Sequence, residues 1–178
     1  RDRTNRELKA MKRLLSAVAA IAVIARMTAT PAEARNRTVI NQWGRANAAG
    51  AVQNGDRNGA VVNQTGNGQY ARGVQNGYNN FLRMDQYGTR NHASTTQAGD
   101  SNFSATGQEG RNLRADTLQT GYGNVAGVAQ IGNGSRAVTD QDGVNNTSGI
   151  IQIGNGQDVE VRQRGEGNIS VVVQSGYN

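Results

Sequence analysis

The sequence predicts an all-β fold: a β-solenoid of six 22-residue strand–turn–strand rungs, its halves stacked as two parallel sheets. Three observations predict it. The triplet Gln-x-Gly recurs at Gln42, Gln53, Gln64, Gln75, Gln86, Gln97, Gln108, Gln119, Gln130, Gln141, Gln152, Gln163 and Gln174, thirteen copies spaced by 11 without a slip. Alternate units carry asparagine five places after the glutamine, at Asn58, Asn80, Asn102, Asn124, Asn146 and Asn168. The other units read Asn47, Gln69, Asn91, Leu113, Ser135 and Gln157, so the structural period is 22. Third, with the glutamine as position 0, none of the 20 charged residues between Gln42 and Val173 falls on positions 5, 7, 9, 11 or 13. That alternation is the mark of a half-buried strand.

The elements follow in chain order. Residues 1–10 read as an upstream extension outside the mature protein. Residues 11–34 read as a cleavable secretion signal: Met11-Lys12-Arg13 is a short positive start, Leu14 to Ala25 is an uncharged, mostly apolar run, and Ala32-Glu33-Ala34 is a small-x-small cleavage site before Arg35. The apolar run is twelve residues long and bounded by Arg26, whereas a membrane-spanning helix needs roughly 20. Residues 35–41 form a short N-terminal segment, and residues 42–178 form the repeat domain. The formal charge of +6 belongs mainly to the leader, because from Arg35 onward twelve arginines face ten acids.

Within each unit, position 2 is always glycine: Gly44, Gly55, Gly66, Gly77, Gly88, Gly99, Gly110, Gly121, Gly132, Gly143, Gly154, Gly165 and Gly176. These are read as turn glycines, with a turn at positions 3 and 4 rich in Gly and Asn, residues that tolerate positive φ. Position 7 is alanine or serine in most units, with Leu82 and Val159 the exceptions. Eleven is also the period of a right-handed coiled coil. A glycine in every unit, at roughly 1 kcal/mol each, and apolar positions two residues apart exclude the helix.

Inside the solenoid, Val62, Met84, Val128, Ile150, Val161 and Val172 form one level and the small residues another. The glutamines and the six asparagines form columns that read as a self-assembly ladder. A buried amide is costly unless bonded, but identical amides about 4.8 Å apart on successive rungs bond along the column. Six rungs at that rise make a body roughly 29 Å long. No capping rung with a polar outer face is recognisable, so end-to-end stacking into a cross-β fibre is expected.

Catalytic chemistry has little to stand on. There is no cysteine, and His92 is the single histidine, read as a solvated surface residue and not a general base. Asp140 and Asp142 lack the nonapeptide context of a calcium-binding roll, and no glycine-rich stretch continues into a phosphate-binding Lys-Ser/Thr. The sequence therefore predicts no catalytic, cofactor or metal site. It also predicts no specific nucleic-acid partner and no stable membrane insertion. Outward position 6 of the asparagine-bearing halves reads Gly59, Phe81, Phe103, Val125, Thr147 and Ile169. This partly apolar stripe is either a lateral bundling or adhesive face or an ordinary set of outward β-formers. Arg114 and Arg136 are expected one rung apart, with Asp158 offsetting their repulsion.

The pattern Gln-x-Gly-x-x-Asn-x-Ala-x-x-x-Gln resembles that of curlin repeats, the units of curli amyloid fibres. It stands nearly whole in Gln42-Trp43-Gly44-Arg45-Ala46-Asn47-Ala48-Ala49 leading to Gln53. Gln86-Tyr87-Gly88-Thr89-Arg90-Asn91-His92-Ala93 leading to Gln97 is a second good copy. The resemblance implies a secreted, extracellular, cell-surface fibre subunit that supports biofilm matrix and cell adhesion. It also implies partners: further copies of the chain, a nucleator or major-subunit counterpart, an outer-membrane export pore and periplasmic chaperones. The chain departs from the family pattern in having six repeats and in often lacking serine at the first repeat position. Two alternatives to the major subunit are a minor nucleator of the same fibre, supported by Arg162 and Arg164, and a soluble β-solenoid binding module.

Overall fold

The computed structural model describes residues 36–176; the upstream extension and the secretion signal expected over residues 1–34 lie outside them. The described residues form thirteen strands and no helix. These are β1 (Arg37–Arg45), β2 (Ala48–Asp56), β3 (Gly59–Asn67), β4 (Tyr70–Tyr78), β5 (Phe81–Thr89), β6 (His92–Asp100) and β7 (Phe103–Arg111). They continue as β8 (Arg114–Tyr122), β9 (Val125–Asn133), β10 (Arg136–Val144), β11 (Thr147–Asn155), β12 (Asp158–Glu166) and β13 (Ile169–Gly176).

Odd-numbered strands make one seven-stranded sheet and even-numbered strands a six-stranded sheet, each in sequence order. All pairings are parallel at an offset of 22 residues, so Gln64 lies against Gln86 and Gly66 against Gly88. This is the predicted β-solenoid. The period forces it: a slip of one residue would turn every inward amide to solvent, and every unit has the same length.

The two sheets bury their facing sides against each other. One core cluster joins Ala60, Val62, Leu82 and Met84 of the odd sheet to Ala71 and Ala93 of the even sheet. A second joins Val128 and Ile150 to Ala115, Ala137, Val159 and Val161. Leu82, large where its column is small, is accommodated by Gly73 of the opposite sheet: a Cβ there would stand 2.8 Å from Leu82 Cδ2. The side chain that breaks the pattern on one sheet is matched by a missing one on the other.

Two sequence expectations are corrected. The ladder begins at Arg37, not at Gln42, because Thr38 and Ile40 continue the inward alternation and β1 pairs with β3 along its whole length. The glycines at position 2 are inside the strands, next to their last residue, rather than in the turn. Gly132 shows why glycine is required there: its φ is +130°, and a Cβ would lie 1.8 Å from the carbonyl oxygen of Gly154 on the next rung. The chain actually reverses at position 4, which is left-handed even where it is Ala46, Arg57, Arg90 or Ser101 (φ +54 to +57°). Side chains there tolerate an unfavourable backbone because the flanking ladders fix it.

Candidate functional site

The inward glutamines form two columns, one per sheet, and all of those from Gln64 to Gln152 are at most 1 % exposed. In the odd sheet, Nε2 of Gln42 donates to Oε1 of Gln64 at 2.7 Å. The chain continues through Gln86, Gln108, Gln130 and Gln152 at 2.8–2.9 Å and reaches Gln174 at 3.5 Å. In the even sheet the same donation runs from Gln53 through Gln75, Gln97, Gln119 and Gln141 to Gln163 at 2.8–2.9 Å. Each column is therefore polar: the N–H points toward the C-terminal end and the oxygen toward the N-terminal end.

The second Nε2 hydrogen is used as well. Gln97 donates to the carbonyl of Phe81 at 3.0 Å, and Gln108 to that of His92 at 2.9 Å. Every glutamine from Gln64 to Gln163 makes this bond to the residue sixteen before it, which opens a strand of the opposite sheet. The amide thus knits rung to rung and also sheet to sheet. Sequence reading found the first bond and missed the second, which depends on how the two sheets face each other.

The asparagines occupy the corner where an even strand passes into the next odd strand. Asn80 donates its backbone N–H to Oδ1 of Asn58 at 3.0 Å and its Nδ2 to the carbonyl of Gly99 at 2.6 Å. The same pair of bonds recurs at Asn102 and Asn124, and at Asn146. Asn168 keeps the first bond, to Asn146 at 3.0 Å. The column and the strand glycines are coupled, since each asparagine from Asn58 to Asn146 satisfies the carbonyl of the glycine on the next rung. Asn36 heads this column, accepting the Asn58 N–H at 3.0 Å. It was missed because Pro31 stands where its unit would have glutamine, yet its distance of 22 from Asn58 is a readable signal.

The outward charges pair locally. Arg114 turns to Asp116 on its own strand at 2.7 Å and Arg136 reaches Asp158 at 3.1 Å, so the facing arginines are both engaged. Arg162 meets Glu160 at 2.5 Å, and Arg164 bridges Asp140 at 2.9 Å and Asp142 at 3.2 Å. His92 stacks on Tyr70 with ring centroids 4.8 Å apart. Its pKa is lowered, first by burial and then by Arg114, against the opposing pull of Asp116. Among the described residues, no cluster of three or more His, Cys, Asp or Glu is placed to hold a metal ion, and no helix is long and apolar enough to cross a membrane.

Both ends of the described solenoid present strand edges that no described strand covers: β1 and β2 at one end, β12 and β13 at the other. No curated protein matches the chain. A family model described as curlin associated repeat matches twice, over residues 110–138 and 136–165, from the end of β7 to the end of β12. The glutamine and glycine registers of that stretch run unchanged into the strands before it, so the stretch that matches curlin repeats and the strands that precede it share one repeat.

Proposed function

We propose that this chain is a structural subunit of extracellular curli-type amyloid fibres, assembling end to end and supporting biofilm matrix and surface adhesion. The observation that carries the reading is the polarity of the amide columns at the two ends of the described solenoid. The C-terminal end offers amide N–H from Gln163 and Gln174, and the N-terminal end offers the acceptor oxygen of Gln42, while that of Gln53 accepts from the Thr38 hydroxyl at 2.9 Å. A second copy seated head to tail, its β1 on β13, continues the backbone ladder and the amide column of the odd sheet. Residues 11–34 serve as the export signal in this reading, removed before Arg35. Nucleator, export pore and chaperones are the partners the family implies.

The major-subunit role is favoured over the nucleator. Arg162 and Arg164, which pointed toward a nucleator, are held by acids of their own sheet and leave no cationic surface set apart for a distinct partner. The test is assembly of the purified chain from Arg35 onward. Fibres growing without a second component, with a meridional spacing of about 4.8 Å, are expected. Gln75→Leu, which strips Gln53 of its acceptor and Gln97 of its donor, should slow growth several-fold. A chain that stays monomeric at high concentration would instead favour a soluble binding module.

A further inference from the structure

The two corners of the solenoid, where the chain reverses at positions 3 and 4, carry opposite chemistry. Where odd strands pass into even ones, the reversals hold Arg45, Arg90 and Arg111 and no acid. All three are exposed, and none meets an acid among the described residues. Where even strands pass into odd ones, the reversals hold Asp56, Asp100 and Glu166, interleaved with Tyr78 and Tyr122. These tyrosines are 41 % and 54 % exposed. Arg57, the one cation at these reversals, is already engaged. Its guanidinium lies over the Tyr78 ring, 5.3 Å from the centroid, and donates to the Tyr78 hydroxyl. Two rungs on, Asp100 and Tyr122 repeat the pair of Asp56 and Tyr78, but Ser101 stands where Arg57 stood.

We propose that a neighbouring copy supplies the missing cation, so that fibres lie side by side, parallel and in register, arginine corner against tyrosine–carboxylate corner. Arg57 on Tyr78 shows which group fits an exposed ring here: a guanidinium over its face. Level decides for a second copy over an unrelated cationic partner. Arg45 and Asp56 stand at opposite corners of one rung, as do Arg90 and Asp100, and Arg111 and Tyr122. A neighbour displaced sideways without rotation therefore meets all three pairings at once. A slip of one rung leaves at most one of these arginines against an acid of the neighbouring copy, and complementary charge fixes register by that difference. The contact joins unlike surfaces, so it does not close into a pair but extends into flat ribbons. A single exposed ion pair contributes little. Along a fibre the contact recurs in every subunit and the contributions add. Ribbon formation therefore rests on the end-to-end reading and follows elongation. Salt opposes it, because exposed charges are screened within about 8 Å at physiological ionic strength.

The experiment uses the purified chain from Arg35 onward and electron microscopy of its fibres. Wild-type fibres should be flat ribbons at low salt and separate into single filaments in about 1 M sodium chloride. The double variant Arg90→Asp/Arg111→Asp should give single filaments at both salt concentrations while elongating at the wild-type rate. Aspartate tolerates the left-handed backbone of position 90, where φ is +56°. A covalent test decides independently of morphology. The chain from Arg35 onward has no lysine, so in Arg90→Lys fibres a carbodiimide should join the new amine to Asp100, identified by mass spectrometry of the digest. Strand β6 separates these two positions by roughly 30 Å, so that link forms only between copies. Single wild-type filaments at low salt, ribbons in the double variant, or no link from position 90 to Asp100 overturn the proposal and leave end-to-end growth standing. A wild-type chain that forms no fibre overturns the end-to-end reading, and this proposal with it.

Discussion

The two corners of the solenoid solve the same geometric problem with different side chains. Where even strands pass into odd ones, every position-5 residue from Asn36 to Asn168 is asparagine, and each accepts or donates in a repeated pattern. Where odd strands pass into even ones, the column reads Asn47, Gln69, Asn91, Leu113, Ser135 and Gln157. Asn47 and Asn91 still reach the glycine carbonyl of the next rung at 2.9 and 3.2 Å. Leu113 has nothing to donate, and Oε1 of Gln69 and of Gln157 is buried without a partner. The backbone bonds spanning the two corners are equally regular, 2.7–3.0 Å throughout. Backbone geometry thus fixes the turn, and the side-chain column determines how strongly each rung is tied to the next.

The largest effect should be the same at both corners. Gly110 precedes the mixed corner and Gly121 the asparagine corner, and a Cβ on either would collide with the next rung's carbonyl at 1.9 or 2.1 Å. Gly110→Ala and Gly121→Ala should each cost at least about 4 kcal/mol, read as loss of assembly or of a measurable denaturation midpoint. A clear difference between them would mean that the corners do not share one backbone solution.

The next effect should separate the corners. Asn102→Leu leaves the Asn124 N–H and the Gly121 carbonyl without side-chain partners, at about 3 kcal/mol. The converse change, Leu113→Asn, supplies the Gly132 carbonyl with a donor and should stabilise by about 1 kcal/mol. Denaturant midpoints of the two variants, moving in opposite directions, would support the comparison; equal losses would break it.

The smallest effect belongs to His92, the residue after Asn91 at the mixed corner. Its pKa is lowered in the folded chain, mainly by burial, so the unfolded chain takes up the proton first. Its stabilising contribution is complete above the unfolded value near 6.5. It is lost as pH falls from there through the folded value, because the unfolded state binds more protons over that interval. His92→Gln should flatten this part of the stability–pH curve and leave the rest unchanged.

Much of this architecture can be read from the chain because its two periods are strict. Inward amides at a spacing of 11 and charges confined to outward positions admit one register, and the alternation of Asn58, Asn80 and Asn102 with the looser set reveals the rung of 22. Asn36 escaped because its unit lacks the glutamine that marks the others. The second glutamine bond escaped because its acceptor, sixteen residues back, belongs to the facing sheet. The position of the strand glycines was misjudged for a related reason. Turn chemistry favours glycine, but here it answers to the next rung's carbonyl.

What the sequence alone determined was therefore everything local and periodic: strand, rung length, register and which side chains point inward. A side-chain period of two and a unit of fixed length leave no other choice. What only the tertiary structure decided was everything that depends on which half faces which. Gly73 makes room for Leu82, the glutamines pin one sheet to the other, and the uncharged outward residues of β9, β11 and β13 lie on one side of the body while the charges of β8, β10 and β12 lie on the other. Those contacts join residues whose separation along the chain carries no signal until the two sheets are laid face to face.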